Sequence, residues 1–216
     1  GRSYIGLAPV INPIYLDERD RGVDSARVDL FHKAVTMIAA SPDVEGDALQ
    51  LAADFVQLLG SQPLFADLAE VDGVMASVHL LPQLTAAALL NATVDAPGWG
   101  EARKFAGQFY AQITRSSPKG ERTLSLSAEA LASGESTIRA LDGMIASLQE
   151  IKESIVAENK ETLDEVLEGA EEGRAVWLGE RRSADWLLKG EKPKTPIEIS
   201  GVAERLFGFR QKKPRD

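Results

Sequence analysis

The chain has 216 residues, 44% of them hydrophobic and 26% charged, the make-up of an ordinary soluble protein with room for one large domain or two small ones. Its formal net charge of -9 repels a phosphate backbone and speaks against nucleic-acid binding. Without cysteine there are no disulfides, thiolate nucleophiles or cysteine metal ligands, and two histidines are too few for a histidine-rich zinc site, so no metal is expected.

Gly1-Arg2-Ser3 leads straight into an apolar run with no signal-sequence pattern, so a cytoplasmic location is expected; the missing initial methionine reads as an excised fragment. Residues 4–10 form a strand ending at Pro9, followed by a rigid loop at Asn12-Pro13. Residues 17–29 are charged and expected to be exposed. Residues 34–40 are a second buried strand, closed by Ser41-Pro42. Residues 47–59 carry Leu51, Phe55, Leu58 and Leu59 at helical spacing and stop at Gly60. Residues 63–66 are a third strand, and this order suggests the tail end of an open α/β sheet.

From residue 67 the pattern is helical. Residues 71–94 read as an apolar helix bent or broken near Pro82, because proline lacks an N–H and crowds the preceding turn. Its longest apolar run, 74–90, is interrupted by Ser77, His79, Gln83 and Thr85, a poor membrane span and a reasonable core helix. After a loop at Pro97-Gly98-Trp99-Gly100, residues 101–113 form one helix and residues 127–158 a long amphipathic one. The latter's stripe of Leu131, Ile138, Leu141, Ile145, Leu148, Ile151 and Ile155 is core or dimer seam. Residues 162–167 continue helical and acidic until Gly173 breaks them. Val176-Trp177-Leu178 and Trp186-Leu187-Leu188 are further short helical pieces. Residues 192–216 are an extended tail with an apolar anchor at Val202, Leu206 and Phe207. The fold expected is mostly α: an α/β remnant of a Rossmann-like domain over 1–66, a helical domain over 67–190, and a tail over 191–216.

His79 on the apolar helix and Arg115 after the second one read as a wall of a pocket for an anionic ligand, since a guanidinium fork suits a carboxylate. The plainer alternatives are a core histidine satisfied by a backbone carbonyl and a surface salt bridge. His32 is expected to be exposed and inert. Asp164, Glu165, Glu168, Glu171 and Glu172 read as a solvated helix face, and Trp99 and Trp177 as packing residues. There is no G-x-G-x-x-G and no G-x-x-x-x-G-K-[ST], hence no visible phosphate-cradling loop.

Two stretches carry a family resemblance: Ser77-Val78-His79-Leu80-Leu81-Pro82-Gln83, similar to an S-H-L-P-H-like helix motif, and Gly107 to Arg115, similar to a G-G-[FY]-x-D-x-T-R-like motif. In this order and spacing, over roughly residues 1–160, the chain resembles the C-terminal portion of the prephenate/arogenate dehydrogenase family, without its N-terminal NAD(P)-binding core. The resemblance implies a helical substrate-binding and dimerisation domain resembling the 6-phosphogluconate dehydrogenase C-terminal-like fold. It also implies an oxidoreductase of tyrosine and aromatic amino acid biosynthesis that oxidatively decarboxylates a cyclohexadienyl carboxylate, with NAD or NADP in the full-length parent and none on this chain alone. His79 is the implied base or hydroxyl partner. Arg115, Thr114, Ser77, Gln83 and Gln112 are the implied substrate contacts. Partners are a second copy of the chain and a small anionic cyclic carboxylate, with no nucleic acid and no membrane.

Departures from that pattern are specific. The family's G-H-P histidine falls at Ala8, the histidine after the helix proline at Gln83, and the aspartate before Thr-Arg at Gln112. An extra residue between His79 and Pro82 shifts His79 toward another helix face. These three neutral positions support a second reading, a non-catalytic helical dimerisation or ligand-sensing module on the same fold. A general base contributes roughly 10²–10⁴-fold, so with Ala8 in place either His79 acts or that acceleration is lost.

Overall fold

The computed structural model describes residues 4–17, 23, 26–117 and 121–184, without the side chains of residues 121–124. The predicted tail, its apolar anchor and the Trp186 piece lie outside the described residues. The chain divides into two units, Gly1–Leu68 with Asp164–Asp216, and Ala69–Leu163. The fold is mostly helical with one small sheet.

In the first unit the sheet runs in the order β1 (Ile5–Pro9), β2 (Val35–Ala40), β3 (Gln62–Ala66). β1 pairs antiparallel to β2, with Ala8 opposite Met37, and β3 runs parallel to β2. Helix α1 (Gly46–Leu58) makes the crossover, because parallel neighbours need a long connection. Ile38, Ala53 and Val56 form its buried core, with Ile5, Leu49 and Ala52 packed on them.

α1 ends where Gly60 takes φ +78, a left-handed conformation that favours glycine. The N–H of Gly60 reaches the carbonyl of Gln57 and that of Ser61 reaches Val56, the paired bonds of a Schellman cap. The cap delivers Ser61 to the buried hydroxyl of Thr36, 2.8 Å away. His32 is exposed and lies beside Gly60.

Helix α8 (Lys160–Ser183) runs uninterrupted through Gly173 and takes in Val176-Trp177-Leu178, correcting the expected break. Glycine costs a helix only about 1 kcal/mol against alanine, and this length carries it. Trp177 is half exposed rather than packed, while Glu165, Glu168, Glu171 and Glu172 are on the solvent, as a solvated face requires. The buried Arg181 donates to the carbonyl of Ile11 at 2.7 Å, tying α8 to the loop after β1. Burial holds its guanidinium below the ordinary value.

The second unit opens with α2 (Leu68–Met75), a π-helical turn over Ala76–Leu80, and α3 (Leu81–Thr93). Proline would crowd the carbonyl four residues back in a regular helix. Here the chain neither breaks nor stops at Pro82: the N–H of Leu81 reaches back five residues to Ala76, and the helix continues. By length and composition alone, Leu68–Thr93 is apolar enough to cross a membrane, despite its polar interruptions. Ala76, Leu80, Gln83 and Ala86 are buried against neighbouring elements, while only 17% of its most apolar window is covered.

The single helix expected over 101–113 is two, α4 (Trp99–Phe105) and α5 (Gln108–Thr114). Ala106 and Gly107 leave helical geometry between them, with ψ of 92 and -149. The long helix expected over 127–158 is also two, α6 (Glu121–Ala132) and α7 (Gly134–Val156). Ser133 leaves helical geometry at φ -100 and ψ 37, and its hydroxyl bonds Asp72. A serine followed by glycine is a weak helical link, and this side-chain bond offers an alternative.

Candidate functional site

His79 and Gln83 meet. The π turn and the first turn of α3 bring their side chains together, with Gln83 Nε2 3.3 Å from His79 Nε2 and 2.9 Å from the His79 carbonyl. The extra residue therefore does not part them. His79 is not a core histidine: its side chain is 47% exposed, and Nε2 also faces Glu129 Oε2 of α6 at 3.8 Å. Glu129 was not singled out by sequence, because its contact spans fifty positions and no local spacing announces it. Its other oxygen accepts from Ser125 at 2.8 Å.

The remaining candidates stand apart. Ser77 is exposed and donates to the carbonyl of Gly73. Thr114 donates to the carbonyl of Tyr110 at 2.7 Å. Gln112 and Arg115 are exposed, and among the described residues Arg115 makes no ion pair. No hydrogen bond joins Arg115 to His79 or Gln83 among the described residues. Ala8 lies in β1 in the other unit.

The second unit also carries a cavity away from His79 and Arg115. It is an open groove of about 830 Å³ lined by the end of α3, the loop after it, α4 and α5, including Thr93, Trp99, Phe105, Phe109 and Tyr110. Neither His79 nor Arg115 lines it. Thr93 and Tyr110 share a hydrogen bond at 2.7 Å, and Tyr110 packs against Trp99 with ring centroids 5.7 Å apart, so Trp99 is a packing residue as expected. At 1.5 Å per residue, the groove sits about 20 Å along the helix from His79.

The geometry can be set beside known proteins. Residues 67–169 match the family model described as "Prephenate dehydrogenase, dimerization domain". That segment belongs to this domain family. In fold, the chain is similar to Synechocystis arogenate dehydrogenase at 18% identity and a TM-score of 0.66, covering 81% of this chain and 62% of that one. It is also similar to prephenate dehydrogenase from A. aeolicus, solved with hydroxyphenyl propionate and NAD+, at 21% identity and a TM-score of 0.67, covering 80% and 58%. The chain thus spans about three-fifths of the solved structures it matches. No curated protein sequence matches it.

A dinucleotide, the cofactor of that A. aeolicus complex, does not fit the strand-to-helix junctions described here. A pyrophosphate seat needs a glycine-rich turn opening on a helix N-terminus. The turn before α1 instead carries Asp43, Glu45 and Asp47, and β3 leads into α2 through Asp67. Carboxylates at those points repel phosphate.

Proposed function

We propose that this chain is the substrate-binding and dimerising portion of an NAD(P)-dependent, prephenate/arogenate dehydrogenase-like cytoplasmic protein, and that it does not transfer hydride by itself. The domain-family match over residues 67–169 carries the reading. In this reading the small α/β part, about 1–66, is the end of a Rossmann-like domain, and the helices from residue 67 on form the working domain. Arg115 holds the carboxylate of a small anionic cyclic acid, aided by Thr114, Ser77 and Gln112, and His79 with Gln83 faces the hydroxyl. Cofactor binding falls to residues outside these 216.

Homodimerisation has its own physical support. Among the described residues of the second unit, the buried apolar side chains are Ala76, Leu80, Ala86 and Leu126, two of them alanines. Meanwhile Leu131, Ile138, Ile145, Leu148 and Ile155 stay exposed along α6 and α7. A ladder of large apolar side chains in water marks an interface.

Calorimetric titration with prephenate, arogenate, 4-hydroxyphenylpyruvate and tyrosine tests the site. We expect saturable binding by one of them and its loss in Arg115→Ala, with the fold kept. Undiminished affinity in that variant refutes the assignment of Arg115. The second reading, a ligand-sensing or dimerisation module without chemistry, is favoured by the neutral Ala8, Gln83 and Gln112. It predicts binding without turnover even when a cofactor-binding portion is supplied.

A further inference from the structure

We propose that His79 Nε2 is a proton-accepting position with two alternating partners: Gln83 holds the neutral ring in the tautomer that leaves Nε2 unprotonated, and Glu129 receives the ring once it is charged. This deepens the reading of His79 given above, and Gln83 and Glu129 enter it as positioning residues.

Donor and acceptor chemistry settles the orientations. The His79 carbonyl only accepts, so the Gln83 group 2.9 Å from it is the amide NH₂ and not the amide oxygen. The second hydrogen of that NH₂ is left for His79 Nε2 at 3.3 Å, which must then be the unprotonated nitrogen. The neutral ring accordingly carries its proton on Nδ1. The lone pair on Nε2 is what a base needs.

A bound hydroxyl that displaces the Gln83 N–H passes its proton to the freed lone pair: the O–H bond breaks, Nε2–H forms and the electron pair stays on the oxygen. Nε2 can then no longer accept from Gln83. The acceptor facing it is Glu129 Oε2 at 3.8 Å. Glu129 is already aimed, since Ser125 occupies Oε1. A closure of about 1 Å completes a charge-assisted bond of ordinary length.

Among the described residues, no ionisable side chain other than Glu129 is within ion-pair distance of His79. The α3 segment Leu81–Thr93 has none. At the start of α7, Glu135 pairs with Arg139, and Asp72 of α2 bonds Ser133. Both His79 and Glu129 are about half exposed, so either can be replaced without emptying a core.

The test is ring-nitrogen NMR of the unliganded chain roughly two pH units above and one below the ordinary imidazole value of about 6.5, with His32→Gln to assign the two histidines. At high pH we expect the wild-type His79 ring as the Nδ1–H tautomer, and a gain of the Nε2–H tautomer in Gln83→Leu. At low pH we expect a hydrogen-bonded Nε2–H that is lost in Glu129→Gln and restored in Glu129→Asp, with unchanged thermal melting. An Nε2–H tautomer in the wild type at high pH, or a Glu129→Gln spectrum identical to wild type at low pH, overturns the proposal. No ligand is involved, so a failed titration at Arg115 and a failed tautomer pattern at His79 are separate results.

Discussion

At the scale of single residues, two side chains show how polar groups are satisfied or left wanting. Asp43 accepts from the Ser41 hydroxyl, and this bond, followed by one from the backbone, holds its carboxyl below the ordinary value of 3.8. The folded state thus binds this proton less readily than the unfolded chain. Its contribution to stability is complete above the unfolded value and is lost as the pH falls through the depressed one. Ser41→Ala should raise the Asp43 titration midpoint toward the ordinary carboxylate value, as read by carboxyl NMR, with no change in melting at neutral pH beyond the loss of one exposed bond. Thr137 is the opposite case, a buried hydroxyl without a hydrogen-bond partner among the described residues. Valine keeps its shape and removes the group that was stripped of water, so Thr137→Val should gain about 1 kcal/mol. That corresponds to a melting point about 2–4 °C higher for a chain of this size.

At the scale of elements, legibility followed the range of the deciding interaction. The strands around Ile38 and Leu64 and helix α1 were readable, because their apolar spacing and the stop at Gly60 are local. Gly60→Ala should cost about 1 kcal/mol, since alanine pays to enter the left-handed region, and its added Cβ would meet His32 Nδ1 at 3.4 Å. A chemical-denaturation midpoint below wild type with an unchanged slope would confirm it. The breaks at Ala106-Gly107 and Ser133 were missed because amphipathic spacing continues across them; backbone geometry and the Ser133–Asp72 bond interrupt the helices, and neither alters the apolar period. The same reasoning explains the site. The His79–Gln83 pair was legible at a spacing of four, whereas Glu129 comes from a distant helix. The groove beside Trp99 is assembled from three elements and leaves no motif.

At the scale of the whole molecule, the exposed ladder on α7 is the ground for predicting a dimer. Ile138, Ile145, Leu148 and Ile155 recur at intervals of seven, three and seven, one stripe of a helix. Covering a leucine is worth about 1.5–3 kcal/mol, and a two-fold pair gains this twice at each position. Light scattering should therefore give twice the monomer mass at micromolar concentration, and Leu148→Glu should give the monomer, by placing two desolvated carboxylates in the seam. A wild-type chain that scatters as a monomer would contradict the arrangement.

The π turn at Ala76–Leu80 has a consequence for how this helix tolerates change in the gene. A turn closed over five residues instead of four holds one residue more than a regular helix needs. It works as a spare link: a one-codon deletion between His79 and Pro82 could be absorbed by relaxing the turn to ordinary α geometry. Everything from Gln83 to Thr93 would then keep its bearing, and the cost would fall on the bearing of His79.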